Sequence, residues 1–92
     1  MERLIFVLMR VVVTLKPGVQ DPEGATITDS LQRIGFASVN RVTVGRHFDI
    51  EIPGRDEDRI RREVEKMCES LLVNPVLQDY HIERIQGPQP AG

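Results

Sequence analysis

The chain carries one cysteine, no tryptophan and a single tyrosine, and each scarcity removes a class of function. A lone cysteine builds neither a disulfide framework nor a thiolate metal cage. Cys68 lies in a helical apolar stripe, the place of a small buried hydrophobe in a reducing compartment, and its neighbours Lys66 and Glu69 give no strong thiolate activation. His47 and His81 fall in no HxxxH or CxxC spacing and are expected on outward strand positions. An RNA-recognition surface stacks bases on aromatics of its central strands, whereas Phe48 falls on the inferred core face. Neither sign of charge dominates: twelve Lys and Arg against fourteen Asp and Glu leave −2, with both signs interspersed. That balance excludes the concentrated basic face a nucleic-acid partner requires. The apolar run Leu4-Ile5-Phe6-Val7-Leu8-Met9 is cut by Arg10, is too short to span a bilayer, and has no basic leader or small-residue cleavage site. A cytoplasmic protein without a membrane partner is expected.

Chemical constellations are equally scarce. Gly18 and Gly24 approach a helix start, but residues 16–24 contain neither GxxxxGK[ST] nor GxGxxG, and Asp21 and Glu23 would oppose a bound anion. Asp49 and Glu51 share a strand face about 7 Å apart, which on an alternating strand is solvated polarity. No catalytic residue, bound cofactor or metal ligand is expected.

What is present is an alternation of strands and helices. Residues 4–15 are dense in Val, Leu and Ile, a strand composition. At ~3.3 Å per residue this strand would extend about 40 Å, more than a small four-stranded sheet needs, so one end should project and seek a partner. Residues 1–9 are an N-terminal extension or the start of that strand, with Met1 or Met9 as the natural start. Residues 10–86 form a single α+β domain and 87–92 a disordered tail. Lys16-Pro17-Gly18 makes a turn, Asp21 caps a helix, and Pro22 suits its first position. Ile27, Leu31 and Ile34 mark that helix's buried stripe, and Gly35 ends it with a left-handed cap on which Phe36 folds back toward Leu31.

From 39 to 52 the period becomes two: Val42, Val44, Phe48, Ile50 and Ile52 share parity against Arg41, Thr43, His47, Asp49 and Glu51. Gly45-Arg46 suits a two-residue hairpin of the Gly-X type, with a bulge in one continuous strand as the competing reading. Asp56 caps a second helix whose stripe is Ile60, Val64, Met67, Cys68, Leu71 and Leu72, with Glu57–Arg61 and Asp58–Arg62 as i,i+4 pairs. Asn74-Pro75 stops it, and a strand near 79–85 follows. The order predicts an α+β, ferredoxin-like β-α-β-β-α-β fold, two helices on one face of an antiparallel sheet. Its other face lies open, so the chain should assemble through the sheet and its edges. A chain this small buries only roughly 60–65% of its unfolded surface, which also favours association.

Several motifs occur in one order: Val13-Thr14-Leu15-Lys16-Pro17-Gly18, Asp21-Pro22-Glu23-Gly24, Leu31-Gln32-Arg33-Ile34-Gly35-Phe36, Val42-Thr43-Val44-Gly45-Arg46, and Met67-Cys68-Glu69-Ser70-Leu71-Leu72-Val73-Asn74-Pro75. With them the chain resembles the PurS family, the small subunit of the three-part phosphoribosylformylglycinamidine synthase of purine biosynthesis, over residues 10–83. The resemblance implies a non-catalytic subunit that bridges a glutaminase, which releases ammonia, and a large synthetase, where ATP and magnesium are expected. It also implies assistance in ammonia transfer and a homodimer or tetramer. Polar turn residues outside the core are the partner-interface candidates: Lys16, Pro17, Gly18, Asp21, Arg46 and Asn74. The alternative is a small-ligand-binding regulatory domain of the same topology, which a metabolite would stabilise against heat.

Overall fold

The computed structural model describes residues 4–90. Five elements follow one another: β1 (Ile5–Leu15), α1 (Pro22–Arg33), β2 (Arg46–Pro53), α2 (Glu57–Met67) and β3 (Gln78–Pro90). They build an α+β fold around one antiparallel sheet in the order β2-β1-β3. β1 alternates as a half-buried strand must: Val7, Met9, Val11 and Val13 are buried beneath α2, while Phe6, Leu8, Arg10 and Val12 face the other way. Ile60 and Val64 of α2, then Cys68 and Val73, close the core over them. Asp56 caps α2 by accepting from the Arg59 N–H at 3.1 Å.

Beyond α2 the chain widens into one π-helical turn, Cys68–Leu72, closed by the Val73 N–H on the Cys68 carbonyl at 3.0 Å. The extra residue per turn rotates the end of the stripe. Cys68 is thereby buried, as the pattern predicts, but Leu71 is left 84% exposed rather than in the core. The anticipated Glu57–Arg61 and Asp58–Arg62 pairs give way to tertiary partners. Glu57 meets Arg84 of β3 at 3.2 Å, Arg61 donates to the Ile82 carbonyl at 3.1 Å, and the i,i+4 pair that does form is Arg59–Glu63 at 2.7 Å.

The C-terminal residues correct the sequence reading of a disordered tail, since β3 runs to Pro90 and pairs Gln89 with Phe6 and Pro90 with Ile5. The overlong β1 supplies the reason: its first residues offer a ladder, and a proline is tolerated on an edge strand, where its missing N–H can face away from the partner. Residues 5–9 accordingly belong to β1, with Met9 in its core; residues 1–3 and 91–92, parts of the extension and tail, lie outside the described residues.

The largest departure lies between α1 and β2. The predicted hairpin is absent, and residues 39–45 form no strand. A Gly-X hairpin needs a positive φ at its first central residue, but among the described glycines only Gly18, Gly35 and Gly54 adopt one. Gly45 instead lies against β1, where a Cβ would sit 2.6 Å from the Val13 carbonyl oxygen. The backbone of 39–45 finds its partners on α1: Val42 N–H donates to Thr28 Oγ1 at 2.9 Å, Val44 N–H to Asp21 Oδ2 at 2.9 Å, and Gln32 Nε2 to the Val39 carbonyl at 2.8 Å. Asp21 is the pivot, since its other oxygen caps α1 on the Gly24 N–H at 2.9 Å. Gly35 (φ 115°) and the Phe36 N–H on the Leu31 carbonyl at 2.9 Å end α1 as predicted.

Held this way, α1 points its apolar stripe to solvent. Of the expected buried stripe, Ile27 and Ile34 are 37% and 70% exposed and Leu31 is half-buried, and Phe36 beyond it is 56% exposed. The chain measures 58 × 30 × 15 Å, and its radius of gyration is 17.5 Å, where a compact domain of this length has about 12 Å.

Two outcomes test this account. Ile60→Ala, at a position fully closed from solvent, should lower stability by about 2–5 kcal/mol in urea unfolding. The N–H groups of Val44 and Gly24 hold the Asp21 carboxyl below its ordinary value of 3.8. Such a lowered group contributes stability above its unfolded pKa and loses it as pH falls through the folded one. Acidification below about pH 4 should therefore free residues 39–45. Asp21→Asn, whose amide nitrogen accepts nothing, should lower the hydrogen-exchange protection of Val44 at neutral pH and flatten that acid dependence; unchanged protection would contradict the tether.

Candidate partner interface

At the end of β1 the chain turns through Lys16, Pro17 and Gly18, where Gly18 takes a φ of 86° and the Val19 N–H closes on the Lys16 carbonyl at 3.1 Å. Asn74 builds the turn beside it. Its carbonyl accepts from the Leu77 and Gln78 N–H groups at 3.2 and 2.8 Å, and its Oδ1 accepts from Val76 N–H at 3.0 Å. The two turns are joined by the Lys16 N–H on the Leu77 carbonyl at 2.9 Å and by Lys16 Nζ on Asp79 Oδ1 at 2.7 Å.

Arg46, expected at a hairpin tip, is instead the first residue of β2, opposite Val13 and exposed. It lines a concavity of about 240 Å³ with Asp21, Gly45 and Gln78. Gln78 also lines the neighbouring hollow beside Lys16 and Pro75. The fold thus gathers Lys16, Asp21, Arg46 and the Asn74 turn at one end of the sheet, with exposed Pro17 and Gly18 in the same loop. Asp21 differs from the rest in that its carboxylate is already occupied by two backbone donors.

A second polar surface is the sheet face away from α2, which the sequence reading leaves open without pairing its side chains. Arg10 at its centre grips Asp49 of β2 through Nε at 2.7 Å and Nη2 at 3.1 Å, and faces Glu83 of β3. The guanidinium lowers the Asp49 carboxyl, and that carboxylate in turn raises Arg10. Val12 lies between His47 and His81, whose Nε2 is 2.8 Å from Glu83 Oε1. Parity alone places these side chains outward; which strands are neighbours is the missing information. Burial raises the Cys68 thiol, the direction opposite to thiolate activation.

Comparison with known proteins adds identity to this geometry. Residues 8–86 match the family model described as PurS, phosphoribosylformylglycinamidine (FGAM) synthase. The PurS subunit of phosphoribosylformylglycinamidine synthase from Methanocaldococcus jannaschii is 44% identical over 73 residues, covering 79% of this chain and 88% of that protein. The Bacillus subtilis counterpart is 35% identical over 75 residues, covering 82% and 88%. Among solved structures, the purS subunit from Thermotoga maritima superposes with a TM-score of 0.83 at 27% identity, covering 91% of this chain and 97% of that one. A chain of the PurLQS structure from the same organism gives 0.81 at 28% identity, covering 87% and 98%. The chain belongs to the PurS family and is the PurS subunit of FGAM synthase in purine biosynthesis.

Proposed function

We propose that the chain is a non-catalytic bridge that holds a glutaminase subunit and an ATP-dependent synthetase subunit in register and assists the passage of ammonia between them. The observation that carries this reading is the likeness to a chain of the Thermotoga maritima PurLQS structure along nearly all of that chain's length. ATP and magnesium belong to the synthetase in this scheme, and the chain works as a homodimer or tetramer. Ammonia is small and quickly lost or protonated in bulk water, so transfer depends on alignment and on exclusion of solvent between two sites. An elongated body with polar turns at one end of its sheet serves the first need. Lys16, Pro17, Gly18, Arg46 and the Asn74 turn are the surface assigned to the partners.

Reconstitution tests the reading. Omitting the chain should lower glutamine-dependent turnover on the order of tenfold or more, while turnover on added ammonium salt falls less. Lys16→Glu and Arg46→Glu should weaken co-elution with the partner subunits. The Lys16–Asp79 pair is exposed, and such pairs contribute about 0–1 kcal/mol, so the fold should survive the reversal. Full glutamine-dependent activity without the chain would end this proposal.

A further inference from the structure

A bridge between two partners needs two surfaces, and the turns around Lys16 and Asn74 account for one. The sheet face away from α2 has the makings of the other. Phe6, Leu8 and Val12 run down its middle on β1, each half-buried. Acidic side chains flank them, Asp49 and Glu51 from β2 on one side and Asp79 and Glu83 from β3 on the other. All four are exposed. Two of them find a cation within the chain: Arg10 grips Asp49 at 2.7 Å, and Lys16 reaches Asp79 at 2.7 Å. Glu51 has no cation within ion-pair distance among the described residues. Glu83 has only His81 at 2.8 Å, which carries charge only when protonated.

We infer that this face is the second docking surface of the bridge. Its occupant is the synthase subunit that the Lys16–Asn74 end does not hold, seated through an apolar ridge with a basic side chain on either side. The ridge lies along Phe6, Leu8 and Val12, and the flanking Lys or Arg side chains meet Glu51 and Glu83. These two carboxylates stand on opposite sides of β1, two strand spacings or about 10 Å apart, so one cation cannot serve both. Charge excludes the other occupants. An anionic lipid surface or a nucleic acid brings the wrong sign. A second copy laid face to face brings the same unmatched Glu51 and Glu83 and no free cation, because Arg10 and Lys16 are already engaged. Arg10 contributes in another way. Bonded to Asp49 through two nitrogens, it holds the middle of the face in one arrangement before a partner arrives, which lowers the ordering cost of docking. This inference rests on the bridging reading and assigns its second contact.

The test sets charge variants of the two surfaces against each other in reconstituted mixtures of all three subunits. Glu51→Lys combined with Glu83→Lys alters exposed side chains, so folding, followed by circular dichroism, should be kept. This variant should raise the concentration needed for co-elution of one partner subunit on the order of tenfold or more. Lys16→Glu combined with Arg46→Glu should do so for the other partner. Glu51→Gln combined with Glu83→Gln keeps size and removes charge. It should weaken the same partner less, flatten the fall of its affinity with added salt, and carry the test if the lysine variant does not fold. Both partners held as by the wild type would overturn the inference. So would the same partner lost from both surfaces, an affinity indifferent to salt, or a loss of self-association in sedimentation with partner binding intact. Normal binding by the Glu51 and Glu83 variants, with glutamine-dependent turnover still lost on omitting the chain, would remove this inference and leave the bridging reading standing. Weakened binding beside a synthase that turns over fully without the chain would do the reverse.

Discussion

The burial of one face of β1 governs the rest of the structure. Val7, Met9, Val11 and Val13 meet Ile60, Val64 and Cys68 in a core centred on that strand, with Ile52 of β2 beside them and Tyr80 and Ile82 of β3 packed against it. Strands on both sides supply the ladder, β3 along nearly the full length of β1 and β2 from Phe6 to Val13. A single helix covers only part of such a sheet. Phe48 and Ile50 of β2 remain half-buried at its margin, and the face bearing Leu8, Arg10 and Val12 is not covered by either helix. Apolar burial contributes about 25 cal/mol per Å², so a partly covered sheet in a chain of this size leaves part of that stabilisation unrealised within the single chain.

Capping and termination signals were read correctly from the sequence, whereas the local Glu57–Arg61 and Asp58–Arg62 pairs gave way to tertiary partners. Asp21 and Asp56 cap their helices, Gly35 ends α1, and the Ile60–Val64–Cys68 stripe faces the core. Each is decided by residues within a turn or two. The errors share a different cause. The buried stripe of α1, the hairpin at Gly45 and the disordered tail each required knowing what lies across the fold. Gly45 is compatible with a hairpin by residue type, but the Val13 carbonyl and the second oxygen of Asp21 decide its path, at sequence separations no periodicity reports. The tail becomes strand because β1 overhangs, a length mismatch visible in the sequence without its remedy.

The candidate interface divides along the same line. That Lys16, Pro17, Gly18, Arg46 and Asn74 are polar or turn residues is written locally; that they gather at one end of the sheet depends on β1 and β3 being neighbours, which brings the Leu77 carbonyl to Lys16. Arg10 and Asp49 show the converse. Each is an ordinary outward residue of an alternating strand, and only antiparallel register turns them into a two-pronged pair. Such a pair contributes geometry more than energy on an exposed face. It fixes a patterned charge surface, Asp49–Arg10–Glu83, across the three strands.

Bridging as proposed depends on rigidity. A bridge that swings cannot hold two active sites to the accuracy that transfer of a small, easily lost molecule requires. The sheet supplies that rigidity: β1 is laddered on both sides and packs its buried face on α2, so displacement has a steep steric cost. The Lys16 and Asn74 turns are fastened to the sheet through the Leu77 carbonyl and Asp79, so the polar surface at that end moves only if β1 and β3 move with it.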